Sequence, residues 1–298
     1  MLHSWVERAD QAVIAGYKTF FFVVGSFGNS CFIYIIWRNK QLRSKSTYLQ
    51  CIQCFCHIIC LTGTLVDVVL VIPDIQLSRN ICFPLMSPFV FFEAAQAVIM
   101  LELVTDILII VKYSGFYKTF ETWRYILLSL IAPSIAGGVF AVWGFEKLDD
   151  EDIYFCNPTS SLHTVASINY TRCLVIINTL IITVFLVLIL IFHRKSQNEN
   201  SDSRKVMKRL QFSVAIFLGS WYITIFSYYV CIAVGVTGED LHFVINNMSF
   251  FISLCYSQTF YVIIYKSMEY RKVFFELMHI RKTSQNVSKA STTRVVIL

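Results

Sequence analysis

Seven apolar runs, each longer than the about 20 residues needed to cross a bilayer, leave this chain few ways to fold. They lie near 13–37, 47–71, 83–111, 124–145, 171–192, 210–234 and 243–265. The fifth passes from Cys173 to Phe192 without a charge, whereas the third holds Glu93, Gln96, Glu102 and Asp106. Only 15% of the 298 residues are charged, against about 25% in a soluble domain. In lipid every backbone N–H and C=O must find its partner within the structure, so runs of this length become helices. The pattern predicts an all-α membrane protein, a seven-transmembrane helix bundle. No internal repeat and no second folded domain is visible.

The segment Met1 to Gln11 contains Glu7, Arg8 and Asp10 and leads directly into the first run. That run is too long for a signal-peptide core and is expected to start translocation itself. Cytoplasmic loops collect Lys and Arg. With the N-terminus outside, 20 of the 25 basic residues fall on inner segments, including Lys112, Arg204, Lys205, Lys208 and Arg209. The outer segments keep Arg8, Arg79 and Lys147 beside the acidic run Asp149 to Asp152. The expected layout is an extracellular N-terminus (1–12), a seven-span domain (13–265), a membrane-surface helix (266–282) and a cytoplasmic tail (283–298).

The surface helix is read from "MEYRKVFFELMHIR", in which Tyr270, Phe274, Leu277 and Met278 recur at helical spacing beside Arg271, Lys272 and Arg281. Such a short amphipathic helix suits the inner membrane surface. The polar tail beyond it reads as disordered. Its Ser284, Ser288, Ser291, Thr292 and Thr293 are candidate phosphorylation sites, though any tail has such residues. The terminal Val296-Ile297-Leu298 fits a carboxylate-capturing groove no better than chance does.

Ten cysteines sort by depth, since only those on the oxidising side should pair. Cys82, just before the third run, and Cys156, in the loop before the fifth, qualify. A bridge would tie that loop to the top of the third helix; two unrelated loop cysteines are the alternative. Cys51, Cys54, Cys56, His57 and Cys60 crowd the second run. Four ligands on one continuous helix cannot close a tetrahedron around one ion, and buried Cys is a common small apolar filler. No metal and no cofactor are expected. His57 and Glu93 are different, because an ionisable group at membrane depth usually faces the bundle interior and has a partner. Each is either a hydrogen-bonded core residue or part of a binding or switching site.

Several short motifs sharpen the class. Gly28-Asn29 is followed by Leu42-Arg43-Ser44, and Cys82 precedes Asp106-Ile107-Leu108. Phe217-x-x-Ser220-Trp221-x-Ile223 and Ser257-Gln258-Thr259-Phe260-Tyr261 follow in the same register. Over about residues 20 to 276 the chain resembles the rhodopsin-like G-protein-coupled receptors. The pieces "LRSKSTYLQC", "CYSQTFYV" and "KSMEYRKVF" look specifically like the nematode serpentine chemoreceptor class SX.

The resemblance implies roles by position. His57 stands where relatives keep an acid that helps hold sodium, and a His is the poorer ligand for a hard cation. Asn29, His57, Gln96, Ser257 and Tyr261 match the polar switch positions. Phe89, Val90, Glu93, Trp221, Tyr222, Thr224, Ile225, Tyr228, Asn247 and Phe251 match the ligand pocket. That aromatic lining with few polar groups suits a small, mostly apolar ligand, although a peptide remains open. The G-protein-facing positions are Asp106, Ile107, Lys112, Arg204, Lys205, Lys208 and Arg209.

Three departures matter. Ile107 replaces the arginine that contacts the G protein, Ile223 the proline that kinks the sixth helix, and Gln258 the seventh-helix proline. The expected partners are a small-molecule or peptide ligand, a heterotrimeric G protein and the bilayer, with no nucleic acid. The expected place is the plasma membrane, a sensory cilium being one such site.

Rival classes fit less well. A transporter would more often show inverted repeats and broken helices, and a channel a filter loop or charge ring. An enzyme would need a nucleophile with a base or metal ligands from several spans; none is found, so no enzyme is expected. A decoy or scaffold receptor is the serious alternative, because of Ile107. Asn169-Tyr170-Thr171 is a glycosylation sequon, but it abuts the fifth run.

Overall fold

The computed structural model describes residues 2–71, 77–153, 156–195 and 238–278, with 216, 219–220, 223–224, 227, 230–231 and 233–236 between the last two. Six helices in this set are long and apolar enough to cross a membrane. They are α1 (Leu2–Arg38), α2 (Lys45–Val71), α3 (Arg79–Lys112), α5 (Thr122–Glu146), α7 (Thr164–Lys195) and α8 (Gly238–Lys266). Three shorter helices join them: α4 (Ser114–Thr119), α6 (Pro158–Ser161) and α9 (Met268–Leu277). The sixth apolar run, 210–234, is described only at scattered positions. There Thr224 Oγ1 donates to the Met248 carbonyl of α8 at 3.3 Å.

The ends of the helices follow from local chemistry. α1 begins before its apolar run because nothing in "LHSWVERADQAV" breaks a helix. At its other end Arg43 donates from Nε to the Ile36 carbonyl at 3.1 Å and also bonds the Trp37 carbonyl. These are two of the four orphan acceptors every helix end leaves. α6 opens with a capping box between Asn157 and Ser160 and a proline next to the cap.

α3 is the central helix. Phe83, Met86, Val90, Ala94, Ala97 and Val104 are almost wholly buried. α5 turns Leu127, Leu128, Ile131, Ile135, Val139 and Val142 outward, an apolar stripe suited to lipid. Close approach needs glycine at two places. A Cβ on Gly137 would lie 2.6 Å from the Phe91 carbonyl oxygen, and one on Gly28 would lie 2.9 Å from the Tyr261 ring.

One end of the bundle is tied down covalently. Cys82 and Cys156 form a disulfide, with Cα atoms 5.6 Å apart. Beside it β1 (Leu77–Ser78) and β2 (Asp152–Ile153) pair antiparallel, Leu77 opposite Ile153. Arg79 reaches Asp149 and Glu151, the latter at 2.9 Å, and Asn80 bonds Asp150. The acidic run is thus folded onto the start of α3. At the opposite end α9 turns Tyr270, Val273, Phe274 and Leu277 onto α1 and α8. Phe32 stacks on Tyr270 at 6.0 Å and Phe260 meets Phe274 at 5.3 Å. Most of the apolar face foreseen for lipid contact is therefore packed on protein; Met268 and Met278 remain exposed.

Candidate functional site

Two buried polar clusters sit on α3, one in its middle and one near its end. In the middle, Glu93 is 6% exposed. Tyr170 of α7 donates to its Oε2 at 2.6 Å, and Tyr256 of α8 donates to its Oε1 at 3.3 Å. Both tyrosines are fully buried. One carboxyl group therefore joins three helices, and among the described residues it has no cationic partner. One turn on, Gln96 lies 2.8 Å from His57 Nε2, bringing in α2. The His57 ring lies 5.3 Å from that of Tyr256. Asn29 of α1 donates to the Tyr256 carbonyl at 2.9 Å.

The expected switch residues thus fall into two groups. His57 and Gln96 pair across α2 and α3. Asn29, Ser257 and Tyr261 fasten α1 to α8: Ser257 Oγ donates to the Phe21 carbonyl at 3.2 Å and Tyr261 to the Val24 carbonyl at 2.8 Å. Among the described residues, the buried atoms His57 Nδ1, Gln96 Nε2 and Asn29 Oδ1 have no protein partner. The pocket residues do not all converge. Phe89 packs with Phe21, Leu61 and Tyr256, whereas Val90 belongs to a separate cluster with Phe140 and Tyr170. Asn247 faces α1, where its Nδ2 donates to Asp10 at 3.3 Å. Phe251 is half-buried and meets the Phe250 ring at 5.5 Å. Trp221, Tyr222, Ile225 and Tyr228 lie outside the described residues, as do Phe217, Arg204, Lys205, Lys208 and Arg209.

Near the other end of α3, Asp106 is fully buried beside Ile107, which packs at the edge of the core. Ser46 and Tyr117 donate to its Oδ2, Tyr117 at 3.4 Å, and Tyr125 donates to Oδ1 at 2.5 Å. Lys45, 8% exposed, bonds the Tyr117 carbonyl and sits over the Tyr117 ring at 4.3 Å and the Tyr125 ring at 5.5 Å. Residues from α2, α4 and α5 thus meet the carboxylate's needs without any contribution from position 107. Lys112 is exposed and lies over the Tyr113 ring at 5.4 Å.

Sequence reading missed the partners. Nothing marks Tyr170 and Tyr256 among 15 tyrosines. A third pair was legible and overlooked: Lys18 of α1 and Asp67 of α2 form a buried ion pair, their side chains 3% and 7% exposed. Both are ionisable residues inside apolar runs, the signal that singled out His57 and Glu93. The cysteines of α2 gather no metal-binding group with their neighbours, none being found among the described residues. The sequon at Asn169 lies within α7, with Tyr170 buried.

The bundle, the disulfide and the polar core centred on α3 define a multi-pass membrane protein of the seven-helix receptor class. A model of the serpentine-type 7TM GPCR chemoreceptor family Srsx matches residues 22–278. The chain belongs to that family. A search of curated proteins gives no match.

Proposed function

We propose that this protein is a plasma-membrane chemosensory receptor with its disulfide end outside. It binds a small molecule or peptide next to Glu93 and engages a heterotrimeric G protein at the opposite face. The observation that carries this reading is the junction of Glu93 with Tyr170 and Tyr256. A ligand placed between α3 and α8 competes with the Tyr256 hydroxyl, whose bond at 3.3 Å is the longer of the two. Breaking it removes the polar tie between α8 and α3 while Tyr170 keeps α7 attached, so binding favours one arrangement of helices over another. A cationic amine would gain most, since Glu93 offers it a carboxylate and the surrounding tyrosines offer ring faces.

Coupling without the usual arginine is consistent with the second cluster. Asp106 is held by Ser46, Tyr117, Tyr125 and the nearby Lys45, which keeps α4 seated against α2 and α3 whatever stands at 107. A G-protein-independent or decoy role is the second reading, and Ile107 is the observation that favours it.

The test is G-protein engagement in cells, by energy transfer between subunits, for surface-verified wild type and Ile107→Arg exposed to pooled volatile and water-soluble chemicals and peptides. A ligand-dependent signal from wild type supports the receptor reading. A signal from Ile107→Arg alone supports the decoy.

A further inference from the structure

The Lys18–Asp67 pair plays no part in the account above, and its chemistry is incomplete. Lys18 Nζ donates to Asp67 Oδ2, while Asp67 Oδ1 is buried with no partner among the described residues. An ammonium carries three protons, so donor capacity remains on Lys18 as well. Buried polar atoms are normally satisfied, and an unsatisfied one calls for an explanation.

Stability does not supply that explanation. A buried ion pair replaced by apolar side chains is often neutral or stabilising. Apolar contacts already join these helices, since Phe21 of α1 packs with Cys60 and Leu61 of α2 in one cluster.

The pair also lies at the foot of a polar seam. Asp67 is four residues from the end of α2, and its neighbours Val66 and Leu70 pack on the Cys82–Cys156 cluster. Between α1 and α8, Asp10 accepts from Asn247, and two turns deeper the Tyr17 and Ser249 hydroxyls lie 2.7 Å apart. Lys18 follows Tyr17. Polar side chains of α1 thus descend from the disulfide end to a charge pair with a spare acceptor and spare donors.

We propose that Lys18 and Asp67 anchor the head group of a zwitterionic ligand, an ammonium beside a carboxylate as in a free α-amino acid. This rests on the receptor reading in taking the disulfide end as the ligand side. The ligand's carboxylate meets Lys18 and its ammonium meets Asp67, Oδ1 included. One ion pair becomes two of alternating sign, and no net charge enters the low-dielectric interior. A singly charged ligand would leave one member of the pair uncompensated, which is costly. The site therefore selects against amines or acids alone.

The test is binding, read as thermal stabilisation of the purified full chain in nanodiscs, so that it does not depend on G-protein coupling. The probes are the free α-amino acids at millimolar concentration, beside their N-acetyl and methyl-ester forms. At least one free amino acid should raise the melting temperature by several degrees, with neither blocked form doing so. Lys18→Met/Asp67→Leu should melt no lower than wild type without ligand and should lose the shift. No shift in wild type, equal shifts with blocked forms, or a shift intact in the double variant would each overturn the proposal. A double variant that fails to fold would overturn it too, by making the pair a structural clamp. The comparison of free with blocked probes needs no variant at all.

Discussion

Glu93 and Asp106 are buried carboxyl groups on one helix, about 20 Å apart at 1.5 Å per residue, each held by two tyrosine hydroxyls. They differ in where those tyrosines stand. The partners of Glu93 come from α7 and α8, 77 and 163 residues on in the chain. Those of Asp106 come from α4 and α5, 11 and 19 residues on, with Ser46 of α2 beside them and Lys45 at hand. The first is a junction that ties three helices distant in sequence to one carboxyl, with no cation among the described residues. The second is a local platform with a cation caged by two aromatic rings. A junction can be opened by a competing ligand; a platform stays shut and gives the moving parts something to move against.

The largest effect should come from breaking the platform. Asp106→Leu leaves Lys45 buried beside no carboxylate and strands three hydroxyls. A loss of more than about 3 kcal/mol is expected from three hydrogen bonds to one charged acceptor, measured by thermal unfolding in nanodiscs, with little surface expression. Glu93→Leu should cost less, about 2–4 kcal/mol, because two buried phenols lose a neutral-compatible partner but no cation is stranded. If Glu93→Leu proved the worse of the two, the distinction between junction and platform would be wrong.

Smaller changes sharpen the contrast. Tyr170→Phe and Tyr256→Phe each remove one hydroxyl from Glu93, for about 1–2 kcal/mol. The expected order is Tyr170→Phe above Tyr256→Phe, following the bond lengths of 2.6 and 3.3 Å. A double-mutant cycle should give a coupling of at least about 0.5 kcal/mol, because both act on one carboxyl. Strict additivity would mean that the two bonds are independent. The smallest effect belongs to Ile107→Val, within about 1.5 kcal/mol and without change in basal signalling, since position 107 contributes nothing to the hold on Asp106.

Much of the fold was legible because the bilayer allows so few solutions. Hydropathy located the described spans to within a few residues, except where α1, α7 and α8 begin ahead of their apolar runs; most of the sixth run lies outside the described residues. Membrane thickness does not limit a helix that extends into water. His57 and Glu93 stood out because ionisable residues are rare in such runs, and Lys18 and Asp67 should have done so by the same rule. What the sequence could not disclose was who holds them. Tyr170 and Tyr256 lie 77 and 163 residues from Glu93, and a tyrosine in a membrane helix reads equally well as packing. Position on the seventh span assigns Asn247 to the pocket, whereas a side chain's direction depends on helix rotation. Here that turns it toward Asp10.

The most direct measurement needs no identified ligand. Basal G-protein engagement would be read in cells for wild type, Tyr256→Phe and Tyr125→Phe at matched surface expression. Opening the junction by removing the Tyr256 hydroxyl should raise the basal signal above wild type. Loosening the platform through Tyr125 should leave it unchanged or lower it. A rise from Tyr125→Phe with none from Tyr256→Phe would contradict the account, because the switch would then lie at Asp106 and not at Glu93.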